Sequence, residues 1–185
     1  WDWKPPDVAI FAIFDLGVAL AISAFAGFLT RGWDKKRMAL SLFSVSIVVG
    51  PIILILRILD LWYGTNLLPA NGPKYGALWW VMLGHSGVLA SLGVLAWILV
   101  GSMTADVVED SQTRTGRRSE GLFFAGPALI QKSISGLGFI IKGSILTLVG
   151  FSVAETDADK VMAIERLAVV FIVLGIALPA LSLWI

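Results

Sequence analysis

The sequence predicts an all-α membrane protein, and three observations lead there. Hydrophobic residues make up 57% of the 185-residue chain and charged ones only 15%, against roughly half and a quarter in soluble domains. Mean hydropathy is +0.87. Five apolar runs are each long enough to cross ~30 Å of hydrocarbon, which takes roughly 20 helical residues. The runs are continuous instead of alternating, which argues against barrel strands. A backbone in lipid must also satisfy its own hydrogen bonds, which leaves helices.

The runs fall at about 8–30, 38–60, 77–103, 121–152 and 162–184. The first carries Asp15, about 10 Å from its outer end at 1.5 Å per residue. The second contains Pro51 and closes on Arg57 and Asp60, whose i, i+3 spacing predicts a snorkelling ion pair near the outer surface. The third holds His85, the one histidine, and Trp97. The fourth contains Pro127, Lys132 and the small-residue stretch "SISGLG". Small faces let helices approach closely, and a glycine motif inside a spanning helix is no phosphate loop. In the same run Lys142 can snorkel outward. The fifth contains Pro179. Prolines inside spanning helices are expected to kink rather than end them.

Basic residues set the orientation. "RGWDKKR", between runs one and two, supplies Arg31, Lys35, Lys36 and Arg37, and the connection between runs three and four supplies Arg114, Arg117 and Arg118. The opposite side carries Lys4, Lys74 and Lys160. The bias predicts that the loops at 31–37 and 106–120 are cytoplasmic, with the N-terminus outside and the C-terminus inside. Five spans that begin outside without a signal sequence suggest a piece of a longer protein. The chain contains no cysteine, which removes disulfides and thiolate metal sites.

Charge is concentrated in one place. Seven of the fifteen residues from Asp106 to Glu120 are charged. Asp106, Glu109 and Asp110 share one face of a helix if the third helix runs on past the bilayer. Arg114, Arg117 and Arg118 follow, then Glu120 at the mouth of the fourth run. A solvated loop obeying the positive-inside rule accounts for the arginines. It leaves unexplained the acids beside them, whose pairs are worth little when wet and more when shut off from water. Opposed clusters of that kind suit a gate.

"ADVVEDSQTRTGRRSEGLFF…QKSISGLG" resembles the stretch joining helices ten and eleven in the glycoside–pentoside–hexuronide:cation symporters. These form the melibiose-permease-like branch of the major facilitator superfamily. That pattern has an acid at the end of helix ten, a second three residues on, a Gly-Arg-Arg-x-Glu-Gly turn, and a lysine twelve residues past the Glu. Asp106, Glu109, Gly116, Arg117, Arg118, Glu120, Gly121 and Lys132 match it without a gap. "RGWDKKR" likewise resembles the basic loop between helices eight and nine. The resemblance implies that the five runs are helices eight to twelve, most of a C-terminal six-helix bundle, with the N-terminal half absent from the chain. It implies cation-coupled symport of a sugar, glycoside or similar small polar solute by alternating access. Sodium or proton would be the coupling cation, bound mainly in the missing half. The implied setting is the plasma (inner) membrane, and the full-length protein is expected to be monomeric. Expected partners are the solute, a monovalent cation and the bilayer, with no nucleic acid and no further cofactor.

Lys132 lies twelve residues past Glu120, roughly 18 Å into the membrane, where a lysine costs about 2.5–3.5 kcal/mol even on a lenient insertion scale. An ion pair to another helix and a place on the central cavity are both open to it, and the resemblance favours the cavity. Trp97, nine residues before Asp106, lies about 14 Å deep. An indole face suits the apolar side of a sugar ring, although packing or lipid contact would equally use a tryptophan. Ala128 stands where the melibiose-type permeases carry threonine, which implies a different ligand. Asp15 and His85, at similar depth, form a candidate proton-titrating pair, unless each is satisfied locally. A carrier of lysophospholipids on the same scaffold, or a non-transporting membrane sensor, are the alternative readings. An enzyme would want a nucleophile–base pair or a metal-ligand cluster, for which one histidine and no cysteine are poor material.

Overall fold

The computed structural model describes residues 3–70, 72–117, 120–153 and 156–184. It contains five long helices: α1 (Pro5–Leu29), α2 (Lys35–Tyr63), α3 (Ala77–Thr115), α4 (Glu120–Leu148) and α5 (Asp157–Trp184), with a one-turn 3-10 helix at Phe151–Val153. All five are long and apolar enough to cross a membrane. Among the described residues there is no strand. The chain forms two compact units, residues 1–100 with 172–185, and residues 101–171, so that α3 and α5 each contribute to both.

Local chemistry sets the helix ends, and several differ from the apolar runs. Pro5 and Pro6 open α1 in its first turn, where a missing N–H costs nothing. Asp34 caps α2 by accepting the Arg37 N–H at 2.8 Å, so this helix starts at Lys35, ahead of its apolar stretch. Gly64, in the left-handed conformation, closes it. The third helix does not stop at 103. It continues to Thr115, and its last turns are held by the Arg114 Nε–Asp110 bond at 3.0 Å, one turn apart. Much of what the sequence presents as a charged connection at 106–120 is therefore helix, and at 39 residues α3 is about twice the length the hydrocarbon requires. Conversely α4 ends at Leu148 instead of near 152, because Gly150 takes φ +82° and turns the chain. The fifth helix begins before 162 on a reciprocal cap. Thr156 Oγ1 donates to Asp159 Oδ2 at 2.6 Å and accepts the Asp159 N–H at 3.1 Å. Pro51, Pro127 and Pro179 all lie inside continuing helices.

In the first unit, Ile53, Leu68 and Leu78 form a buried cluster with Trp3, Leu56 and Met82 against it. Aromatic rings extend it across the start of α1 and α3: Trp3 stacks on Phe11 at 5.9 Å, Phe11 meets Trp79 at 5.2 Å, and Tyr75 meets Trp79 at 5.0 Å. Trp3 Nε1 donates to the Gly72 carbonyl at 3.1 Å, and Lys74 pairs with Asp7 at 3.1 Å. Asp60 organises the loop after α2 by accepting from Thr65 Oγ1, the Leu67 N–H and the Leu68 N–H at 2.6, 2.6 and 2.9 Å. The sequence reading gave Asp60 an ion pair with Arg57 and missed these bonds. Further along, α1 and α3 touch: a Cβ on Gly87 would stand 2.7 Å from Phe14 Cε1. In the second unit Val108, Val149 and Ala163 are buried, while no described residue of α4 is.

Candidate functional site

The charged residues gather where α3 ends and α4 begins, inside the second unit. Gly116 ends α3 with φ +66° and an N–H bonded to the Gln112 carbonyl at 2.9 Å. That turn brings Glu120, the first residue of α4, to a cavity of about 580 Å³ whose other walls are Ala105, Val108, Glu109, Gln112 and Thr113 of α3. Two of the predicted network residues, Glu109 and Glu120, thus border one polar cavity. Asp106 lies on α3 one turn before Asp110, exposed to solvent, as is Arg117 beyond the Gly116 turn. The Arg117 N–H donates to Thr115 Oγ1 at 3.3 Å. Arg118 lies outside the described residues. Asp110 and Arg114 form an ion pair here, with both side chains well exposed. Both belong to the opposed charge clusters read from the sequence, and their i, i+4 spacing is the signal that finds the pair. Gln112 and Thr113, on the cavity wall, carry no such signal.

Lys132 stands near the middle of α4, exposed on the isolated chain. Among the described residues no carboxylate pairs with it. Around it the helix is small and self-satisfied: Ser133 Oγ donates to the Leu129 carbonyl at 3.0 Å and Ser135 Oγ to the Gln131 carbonyl at 2.8 Å. Ammonium and hydroxyls therefore do not compete for the same partners. Trp97 belongs to the first unit, where α3 buries Ala96 and Leu99 and leaves Trp97 61% exposed. Its indole projects away from the packed side of its own unit.

Asp15 and His85, both in the first unit, do not form an ion pair with each other. His85 Nε2 lies 2.8 Å from the Val49 carbonyl, tying α3 to α2. Asp15 Oδ1 is buried without a hydrogen-bond partner, on α1 next to the Phe14–Gly87 contact. A buried carboxylate oxygen with no donor is costly, and it is the one such carboxylate atom among the described residues.

Across all 185 residues the chain matches the family described as MFS/sugar transport protein. It belongs to that family. The match agrees with the melibiose-permease-like resemblance of the α3–α4 junction, and the five helices are each long and apolar enough to cross a membrane. An uncharacterized symporter of Synechocystis sp. is 35% identical over 81 residues, which are 40% of this chain and 15% of that relative. The matched stretch is thus a small part of the relative's length. No solved structure matches the chain.

Proposed function

We propose that this MFS/sugar transport chain supplies helices eight to twelve of a secondary transporter. In it a sodium or proton gradient drives symport of a sugar, glycoside or similar small polar solute. The observation that carries the reading is Lys132, an ammonium within a 29-residue apolar helix and with no described carboxylate to neutralise it. In hydrocarbon that position is costly. Beside a watered cavity between two halves of a carrier it is solvated, and it can hold a polar solute or help position a carboxylate of the opposite half. Trp97 would offer its indole face to the C–H side of a sugar ring. With Ala128 replacing a hydroxyl, the solute differs from a galactoside.

The acids and arginines at the α3–α4 junction act in this reading as the cytoplasmic gate. Asp106, Glu109, Glu120, Arg117 and Arg118 sit on the side that the basic loops mark as cytoplasmic. Wet pairs there are worth at most about 1 kcal/mol each, so they can break and re-form as the cavity opens. Asp15 is the group in this half best suited to take up a proton, since its buried oxygen lacks a donor, and His85 ties the neighbouring helices together.

Uptake by the full-length protein in proteoliposomes tests the proposal. Labelled sugars and glycosides should accumulate only under an imposed sodium or proton gradient. Equal flux after the gradients are collapsed would contradict coupling.

A further inference from the structure

An apolar groove of about 480 Å³ runs between α2 and α5 in the first unit. Leu40, Phe43 and Ile47 form one wall, and Gly175 and Pro179 form the other. The two serines on it do not make it polar. Ser46 Oγ donates to the Leu42 carbonyl and Ser182 Oγ to the Pro179 carbonyl, both at 2.8 Å. Gly175 faces open space, since a Cβ there would meet nothing within 4 Å.

What covers the groove follows from the charge at its end. Positions 36, 40, 43 and 47 are spaced 4, 3 and 4 apart, so Lys36 continues the groove stripe of α2 by one turn. Arg31, Lys35 and Arg37 flank it. The acid among them, Asp34, is turned to its own helix as the cap of α2, with Oδ1 on the Arg37 N–H at 2.8 Å. The stripe from Lys36 to Ile47 measures about 16 Å along the helix, roughly one leaflet of a ~30 Å hydrocarbon core. Two exposed indoles lie at the same end. Trp33 precedes α2 and Trp184 closes α5, at 70% and 85% exposure, as tryptophans do at headgroup level. A leaflet-long apolar slot under a basic, tryptophan-flanked rim has the chemistry of an anionic lipid site. We infer that the groove seats an acyl chain of an anionic phospholipid whose headgroup phosphate is held by Lys36 and its basic neighbours.

Native mass spectrometry of the full-length protein, delipidated in detergent, tests this. Dioleoyl phosphatidylglycerol and dioleoyl phosphatidylcholine are titrated separately and the bound copies counted. The account expects one tight copy of phosphatidylglycerol, bound at least fivefold more strongly than phosphatidylcholine. Lys36→Gln should weaken phosphatidylglycerol about fivefold, the worth of one surface charge near a lipid headgroup, and leave phosphatidylcholine unchanged. Gly175→Leu, which fills open space, should abolish the tight copy while the melting temperature holds. Equal binding of the two lipids would overturn the inference, as would indifference to Lys36→Gln. So would a tight copy that survives Gly175→Leu, or a dimer that Gly175→Leu dissociates, since a second copy would then be the occupant.

Discussion

Lys74 is the one described ionisable group outside the spanning helices whose titration is displaced. The Asp7 carboxylate at 3.1 Å, and behind it Tyr75, hold its ammonium above the ordinary value of 10.5. A raised pKa means the pair stabilises fully below about pH 10.5 and the contribution is lost as pH climbs through the folded value. Thermal melts of wild type and Lys74→Met should therefore differ by a constant amount at pH 7–9, and the difference should shrink as pH rises beyond 10.5. A difference undiminished at high pH would mean that Lys74 acts through its contact with Tyr75, whose ring centre lies 5.0 Å from Nζ, and not through the Asp7 pair. At Asp15 the orphaned oxygen predicts that Asp15→Asn leaves folding intact and removes proton-driven uptake. Retained proton-driven accumulation in that variant would place the proton elsewhere. Asp15 and Asp60 differ in how far they could be read from sequence. Asp15 stands out because an acid in an apolar run is conspicuous. The Asp60 bonds do not, because their partners are the N–H groups of Leu67 and Leu68, reached only after the chain has turned through Gly64.

Among the elements, the contact of α1 with α3 depends on a missing side chain. Phe14 fills the place a Cβ on Gly87 would take, so Gly87→Val should destabilise by about 1–3 kcal/mol through overpacking. Phe14→Ala in the same chain should return part of the loss. Simple additivity of the two changes would contradict direct packing. All five helices were legible in hydropathy, since each apolar run is long enough for only one structure in lipid. Their ends were less legible, because hydropathy reports where oil stops and not where a helix stops. Asp110–Arg114 carries α3 on in water, Gly150 ends α4 while the sequence is still apolar, and the Thr156–Asp159 cap starts α5 among polar residues.

At the scale of the whole molecule, the proposed transport rests on the family, and the proposed substrate path on where α3 and α4 present their polar groups. Glu109 and Glu120 on one cavity predict that Glu109→Lys with Glu120→Lys shifts the balance between inward-open and outward-open states. Cysteine labelling from the cytoplasmic side reads that shift, and unchanged accessibility would remove these residues from the gate. The motif at this junction was legible as a block of acids followed by a block of arginines, whereas Lys132 has no carboxylate partner among the described residues that could have been read with it. Its surroundings can be measured directly. Lys132→Cys, in a full-length protein stripped of other cysteines, is exposed to a membrane-impermeant, charged thiol reagent with and without transported solute. The account predicts rapid labelling that solute slows; a cysteine that reacts only with lipid-soluble reagents, whether or not solute is present, would contradict it.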